Sequence, residues 1–163
     1  AKVFYRKINT PNHDAYSNYI LLNPIKINKP EPILLKNYDA AITAHAINHK
    51  TILLAYNPDK LRNILRLVIS KNAGKSWCIL TNIKHSPPPS FHSYPYLIRA
   101  NKNQFILGAS TDQGMQLYIF NQNWINSKIN SNINSNTNSN TNSNTNSNTN
   151  SNTNSNTEQQ SCT

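Results

Sequence analysis

The sequence predicts an all-β, antiparallel fold built from consecutive meanders and followed by a tail without a core. Three observations carry that prediction. Between Asn37 and Trp124 the apolar residues fall in strand-length groups rich in β-branched, Leu and aromatic residues, and no 3.6-residue stripe persists for three turns. Short polar turns bearing Asn, Asp, Gly and Pro separate the groups. From about Ser127 the composition narrows to little but Asn, Ser and Thr.

Taken in order, Lys2 to Ile8 and Tyr19 to Leu22 read as strands, while Pro11, Pro24, Pro30 and Pro32 leave most of residues 1–36 as loop, so this stretch is expected to be a partial blade or an irregular lead-in. The body, 37–126, holds seven strand-like segments: Ala40 to Ile47, Thr51 to Tyr56, Ile64 to Ile69, Trp77 to Thr81, Tyr94 to Ala100, Gln104 to Ala109 and Gln116 to Phe120. Short turns suit antiparallel neighbours, so each segment is expected to pair with the next. The run His85-Ser86-Pro87-Pro88-Pro89-Ser90 reads as a stiff extended connector dividing four strands from three. In residues 127–163 the unit Ser-Asn-Thr-Asn recurs from Ser131 to Ser155. It offers no apolar burial against an ordering cost of about 1–2 kcal/mol per residue, so a disordered tail is expected, with Asn-rich self-association as the alternative.

Composition excludes several classes. With 163 residues and such a tail, the chain has room for one modest domain. No apolar run approaches the roughly 18–20 residues of a membrane-spanning helix. The first residue is Ala1 and no signal-peptide pattern follows, so an internal start is expected and the compartment stays open; secretion or a cell-envelope site would require a signal peptide on a longer product. Cys78 and Cys162 are too few for a disulfide framework or a zinc site, and no residue set asks for a metal or cofactor. The chain carries 16 Lys+Arg against 6 Asp+Glu, a net +10, with a pI near 9.8. Its lysines are scattered rather than blocked, so a nucleic-acid role is not expected beyond loose polyanion association.

One local motif is more specific. In Ser70-Lys71-Asn72-Ala73-Gly74-Lys75-Ser76-Trp77, Asn and Gly sit where a tight turn needs left-handed backbone, and the Trp can pack back across it. The stretch resembles the Asp-box of sialidase-type β-propellers, Ser-X-Asp-X-Gly-X-Thr-Trp, with Asn72 for Asp and Ser76 for Thr. In that family the box is a structural hairpin between the third and fourth strands of a blade. Ser93-Tyr94-Pro95 leading into Tyr96 to Ala100, then Gln104 to Ala109, Leu117 to Asn121 and Trp124-Ile125, resembles the following blade. Tyr38-Asp39-Ala40 and Thr51 to Asn57 resemble the preceding strands.

The resemblance implies four-stranded antiparallel blades of a six-bladed propeller, of which this chain supplies two to three. An arc of blades leaves edges open, so a fragment, a remnant or a piece completed by another chain is implied. Family members use a Tyr nucleophile, a Glu that polarises it, an Asp acid/base and three Arg that grip the substrate carboxylate. Carried onto this chain, the catalytic candidates are Asp39, His92 at the nucleophile position, and Tyr94 or Tyr96 in a shifted register. Asn37 or Tyr38 stands where Glu is expected and Asn57 where an Arg is expected. Arg66 and Arg99 are the substrate-binding candidates, with Arg62 nearby. Against these stand ordinary roles: a strand cap for Asp39, a hydrogen-bonding residue for His92, cross-strand packing for Tyr94 and a solvent-facing position for Arg66. The resemblance thus implies a fragment of a sialidase-like, carbohydrate-active protein, an exo-glycosidase if active but inactive alone, taking a glycan or glycoconjugate as partner. A non-catalytic glycan-binding or structural propeller piece and a basic polyanion binder are the alternatives.

Overall fold

The computed structural model describes residues 2–6, 14–22, 25–27, 29, 31–38, 40–84 and 91–141. Three antiparallel sheets follow one another along the chain. The first joins β1 (Lys2–Arg6), β2 (Asp14–Leu22), β3 (Ile25–Ile27) and β4 (Glu31–Lys36), with β2 pairing all the others. The second is a four-stranded meander of β5 (Thr43–Ala46), β6 (Ile52–Tyr56), β7 (Ile64–Ser70) and β8 (Cys78–Lys84). The third orders β9 (Ser93–Arg99), β10 (Gln104–Thr111) and β11 (Gly114–Asn121) around a central β10. These are partial propeller blades, and the second sheet is a complete four-stranded one.

The burial pattern explains the sequence of the middle sheet. Every residue of β6 is buried, which a one-sided sheet cannot do. Leu53 and Ala55 join Leu65, Leu67, Leu97 and Phe105 in a core shared with the third sheet. Ile52, Leu54 and Tyr56 face the other way, into a core with Ile33, Leu35 and Trp77. Alternate residues of one strand therefore serve two cores. Phe4 closes the second core edge-on to Trp77, with ring centroids 5.7 Å apart.

The Asp-box-like segment is the hairpin between β7 and β8, the third and fourth strands of the middle sheet. The backbone N–H groups of Gly74 and Asn72 donate to Ser70 Oγ at 2.7 and 3.3 Å, and those of Lys75 and Ser76 donate to Asn72 Oδ1 at 3.1 and 2.9 Å. Asn72 Nδ2 donates to Ser76 Oγ at 2.7 Å, so Asn and Ser rebuild between themselves the contact of the Asp–Thr pair. Ala73 and Gly74 take the left-handed conformation, at φ of 58° and 83°. Ala73 N–H also donates to Lys50 O at 2.7 Å, tying this hairpin to the β5–β6 turn.

Two expectations are corrected. Residues 1–36 carry four strands rather than mostly loop. Pro32 is tolerated because β4 pairs on one side only, with β2, and an edge strand loses nothing by lacking an N–H that faces outward. The tail expected to be disordered from residue 127 is helical at its start: α1 (Gln122–Thr141) runs into it. Asn121 caps this helix, its Oδ1 accepting from Trp124 N–H at 2.9 Å. Ile125 and Ile129, one helical turn apart, enter the core shared by the second and third sheets, which supplies the burial that the repeat lacks. Trp124-Ile125 therefore belongs to this helix and not to a strand. The rest of the tail and the Pro87-Pro88-Pro89 connector lie outside the described residues. Among the described residues no helix is long and apolar enough to cross a membrane, which says nothing of membrane strands.

Candidate functional site

The positions singled out by the family pattern meet at one corner of the molecule, where β4, β6 and the start of β9 converge. Asn37 follows β4, Asn57 follows β6 and His92 precedes β9; all three are buried, with Asn57 and His92 at 0% exposure. Asn57 joins the group. Its Nδ2 donates to Ile64 O at 2.8 Å and to His92 O at 2.7 Å, and its backbone N–H donates to Asn37 Oδ1 at 3.3 Å. Asn37 Nδ2 in turn donates to Ala40 O at 2.5 Å. His92 N–H donates to Arg62 O at 2.7 Å, and Arg62 itself takes left-handed backbone at φ 60°.

The His92 ring reaches into the third sheet. Its Nε2 lies 3.0 Å from the Tyr118 hydroxyl, which donates to Gln116 Oε1 at 2.6 Å. With that proton committed to Gln116, the ring hydrogen falls on Nε2 and His92 is the donor to Tyr118. Burial pushes the Tyr118 phenol above its ordinary range, so it remains protonated at neutral pH. Tyr118 was not singled out from the sequence: it sits 26 residues from His92, and only the packing of two sheets joins them. Asp59 Oδ2 accepts from Ile64 N–H at 3.2 Å and braces the 57–64 loop.

The remaining candidates lie elsewhere. Tyr94 and Tyr96 point away from this corner, 63% and 69% exposed on the outer face of β9, whereas His92 is fully buried. Tyr94 takes φ 52° at an irregularity between β9 and β10, a costly conformation for an aromatic residue. Arg66, on β7, directs Nε to Asn82 Oδ1 at 2.8 Å and a terminal nitrogen toward Tyr56 Oη at 3.5 Å. Arg99, on β9, holds the β9–β10 turn by donating to Asn101 O at 3.0 Å and to Lys102 O, with its guanidinium over the Phe105 ring. The two forks stand on different sheets, each engaged locally. Asp39 lies outside the described residues.

A family model for the BNR repeat-like domain matches residues 5–107, more than half of the chain. This chain belongs to the BNR repeat-like family. No curated protein and no solved structure matches it. Membership agrees with the sialidase-like BNR repeat pattern, and the matched span runs from the end of β1 through the second sheet into β10 and includes the corner at Asn37, Asn57 and His92. In this BNR repeat-like chain the carboxamides of Asn37 and Asn57 hold backbone groups of the neighbouring loops together, the His92 imidazole contacts the Tyr118 hydroxyl, and Asn37, Asn57 and His92 are all buried. A cleft of about 560 Å³ between the second and third sheets, lined by residues such as Leu67, Ile83, Leu107, Phe120 and Trp124, contains no Asp, Glu or Arg.

Proposed function

We propose that this chain is a non-catalytic part of a sialidase-like, carbohydrate-active propeller, serving in glycan recognition or as structural support rather than in hydrolysis. The supporting observation is the corner itself. Where the family pattern calls for a Glu, an Arg and a nucleophile stand Asn37, Asn57 and His92, all neutral or buried and all bonded to backbone. Retaining hydrolysis needs a nucleophile that reaches the anomeric carbon and a carboxyl group that donates a proton. Gripping a sialic-acid carboxylate needs convergent guanidinium forks. Arg66 and Arg99 support neither a shared site nor a free fork.

The test uses the whole 163-residue chain on a panel of 4-methylumbelliferyl glycosides that includes the sialoside, together with binding to an immobilised glycan panel. The expected result is no fluorophore release and measurable retention on a subset of glycans. Release that disappears in His92→Ala would sink the non-catalytic reading. Folded protein that binds no glycan on the panel would remove recognition and leave only the structural role.

A further inference from the structure

Among the described residues no cysteine is free: Cys78 is disulfide-bonded. The sequence holds one other cysteine, Cys162, which follows the Ser-Asn-Thr-Asn repeats and lies outside the described residues. Cys78 opens β8 and is 5% exposed, in the same core as Leu80, Ile125 and Ile129. Helix α1 passes beside it, because Asn132 Nδ2 donates to the carbonyl of the next residue of β8, Ile79, at 2.5 Å. A sulfur set in a strand next to a helix is reached by a chain that threads in alongside. The equally enclosed sulfur of a second copy cannot approach it without opening both cores.

We propose that Cys78 and Cys162 form one intramolecular disulfide, which ties the far end of the repeat tract to β8 and closes the tract into a loop anchored at both ends. The bond forms by exchange: each thiol gives up its proton, and the two electrons pass to the disulfide of an oxidised exchange partner, which leaves as two thiols. The chain length allows it. From Asn132, α1 continues to Thr141, roughly 14 Å farther at about 1.5 Å per residue. Residues 142–161 can span roughly 65 Å when extended, ample for the return to β8. Because Cys162 is tethered, it meets Cys78 at an effective concentration that no second copy matches in dilute solution.

A tether of this kind gives the repeat a role that needs no core of its own. Loop-closure entropy rises only with the logarithm of loop length, so copies of the four-residue unit can be gained or lost without opening the ring. The bond also secures α1, whose buried anchors are Ile125 and Ile129. It persists where thiols are not kept reduced, which assigns the chain to an oxidising compartment. This inference stands whether or not the chain binds a glycan.

Peptide mapping tests it. The full chain is equilibrated with excess oxidised over reduced glutathione, alkylated with iodoacetamide without reduction, and digested with trypsin. The expected result is a species joining residues 76–84 to residues 129–163, which separates into the two peptides on reduction, from a chain that runs as a monomer on a non-reducing gel. In the second measurement, Cys162→Ser should keep the strand signal in circular dichroism while amide exchange across the second half of α1 rises at least threefold and that of β10 stays as it was. Both cysteines recovered alkylated would overturn the proposal. So would glutathione attached to Cys78, disulfide-linked dimers, or α1 exchange that Cys162→Ser leaves unchanged.

Discussion

If Asn57 is a structural residue, removing its side chain should cost stability and change nothing in chemistry. Asn57→Ala leaves two buried carbonyls, Ile64 O and His92 O, without the donors that now lie 2.8 and 2.7 Å away. Each orphaned buried group costs roughly 1–3 kcal/mol, and no water reaches a position at 0% exposure to replace the donor without opening the loop. The loss should be about 3 kcal/mol, or a fall in Tm of about 10 °C for a domain of this size. Asn57→Asp keeps the shape but sets acceptors against those carbonyls, so it should cost more than the alanine despite the smaller change in volume. Urea unfolding followed by the emission of Trp77, which is 2% exposed, measures both. A loss below about 0.5 kcal/mol for Asn57→Ala would refute the structural role and reopen a functional one.

Three further predictions concern the box, the helix and pH. Asn72→Asp restores the family's residue; a carboxylate can accept from Ser70, Lys75 and Ser76 together, so stability at pH 7 should rise by about 0.5–1 kcal/mol and the gain should vanish on titration below about pH 4. Differential unfolding at the two pH values reads this. Ile125→Ala removes a side chain at 0% exposure and should cost about 2–4 kcal/mol, with a loss of helical ellipticity and faster amide exchange across α1. Burial first and the nearby Arg99 second hold the His45 imidazole below its ordinary pKa. As pH falls below about 6.5 the unfolded chain takes up that proton before the folded one does, so stability should drop across the window beneath that value and be fully present above it. His45→Gln should flatten that slope, and an NMR titration of His45 with its midpoint at or above 6.5 would contradict the assignment.

What could be read in the sequence follows from how local each signal is. Strands β5 to β11 fell close to the predicted segments because alternation and turn chemistry are written within a few residues. The hairpin between β7 and β8 was legible because its side-chain-to-backbone hydrogen bonds all close within the eight residues from Ser70 to Trp77. Lys2 to Ile8 and Tyr19 to Leu22 were legible as β1 and the end of β2, whereas the start of β2, β3 and β4 were hidden among prolines, whose exclusion from sheets holds for central strands and not for an edge such as β4. Helix α1 was hidden because Ile125 and Ile129 are its anchors in an otherwise polar run, and two residues make a helix only when a core waits for them. No window of sequence contains that core.

The corner at Asn37, Asn57 and His92 shows why family position and chemical role come apart. Motif spacing alone located three positions, and folding brought them within hydrogen-bonding reach across 20 and 35 residues of chain. Loops that meet at such a corner carry backbone groups that must be satisfied once water is excluded. Charged side chains can serve only where solvent or substrate completes their shell; a carboxamide such as that of Asn37 satisfies a donor and an acceptor at once without a charge to desolvate. Neutral residues there are what a closed, load-carrying junction between sheets requires.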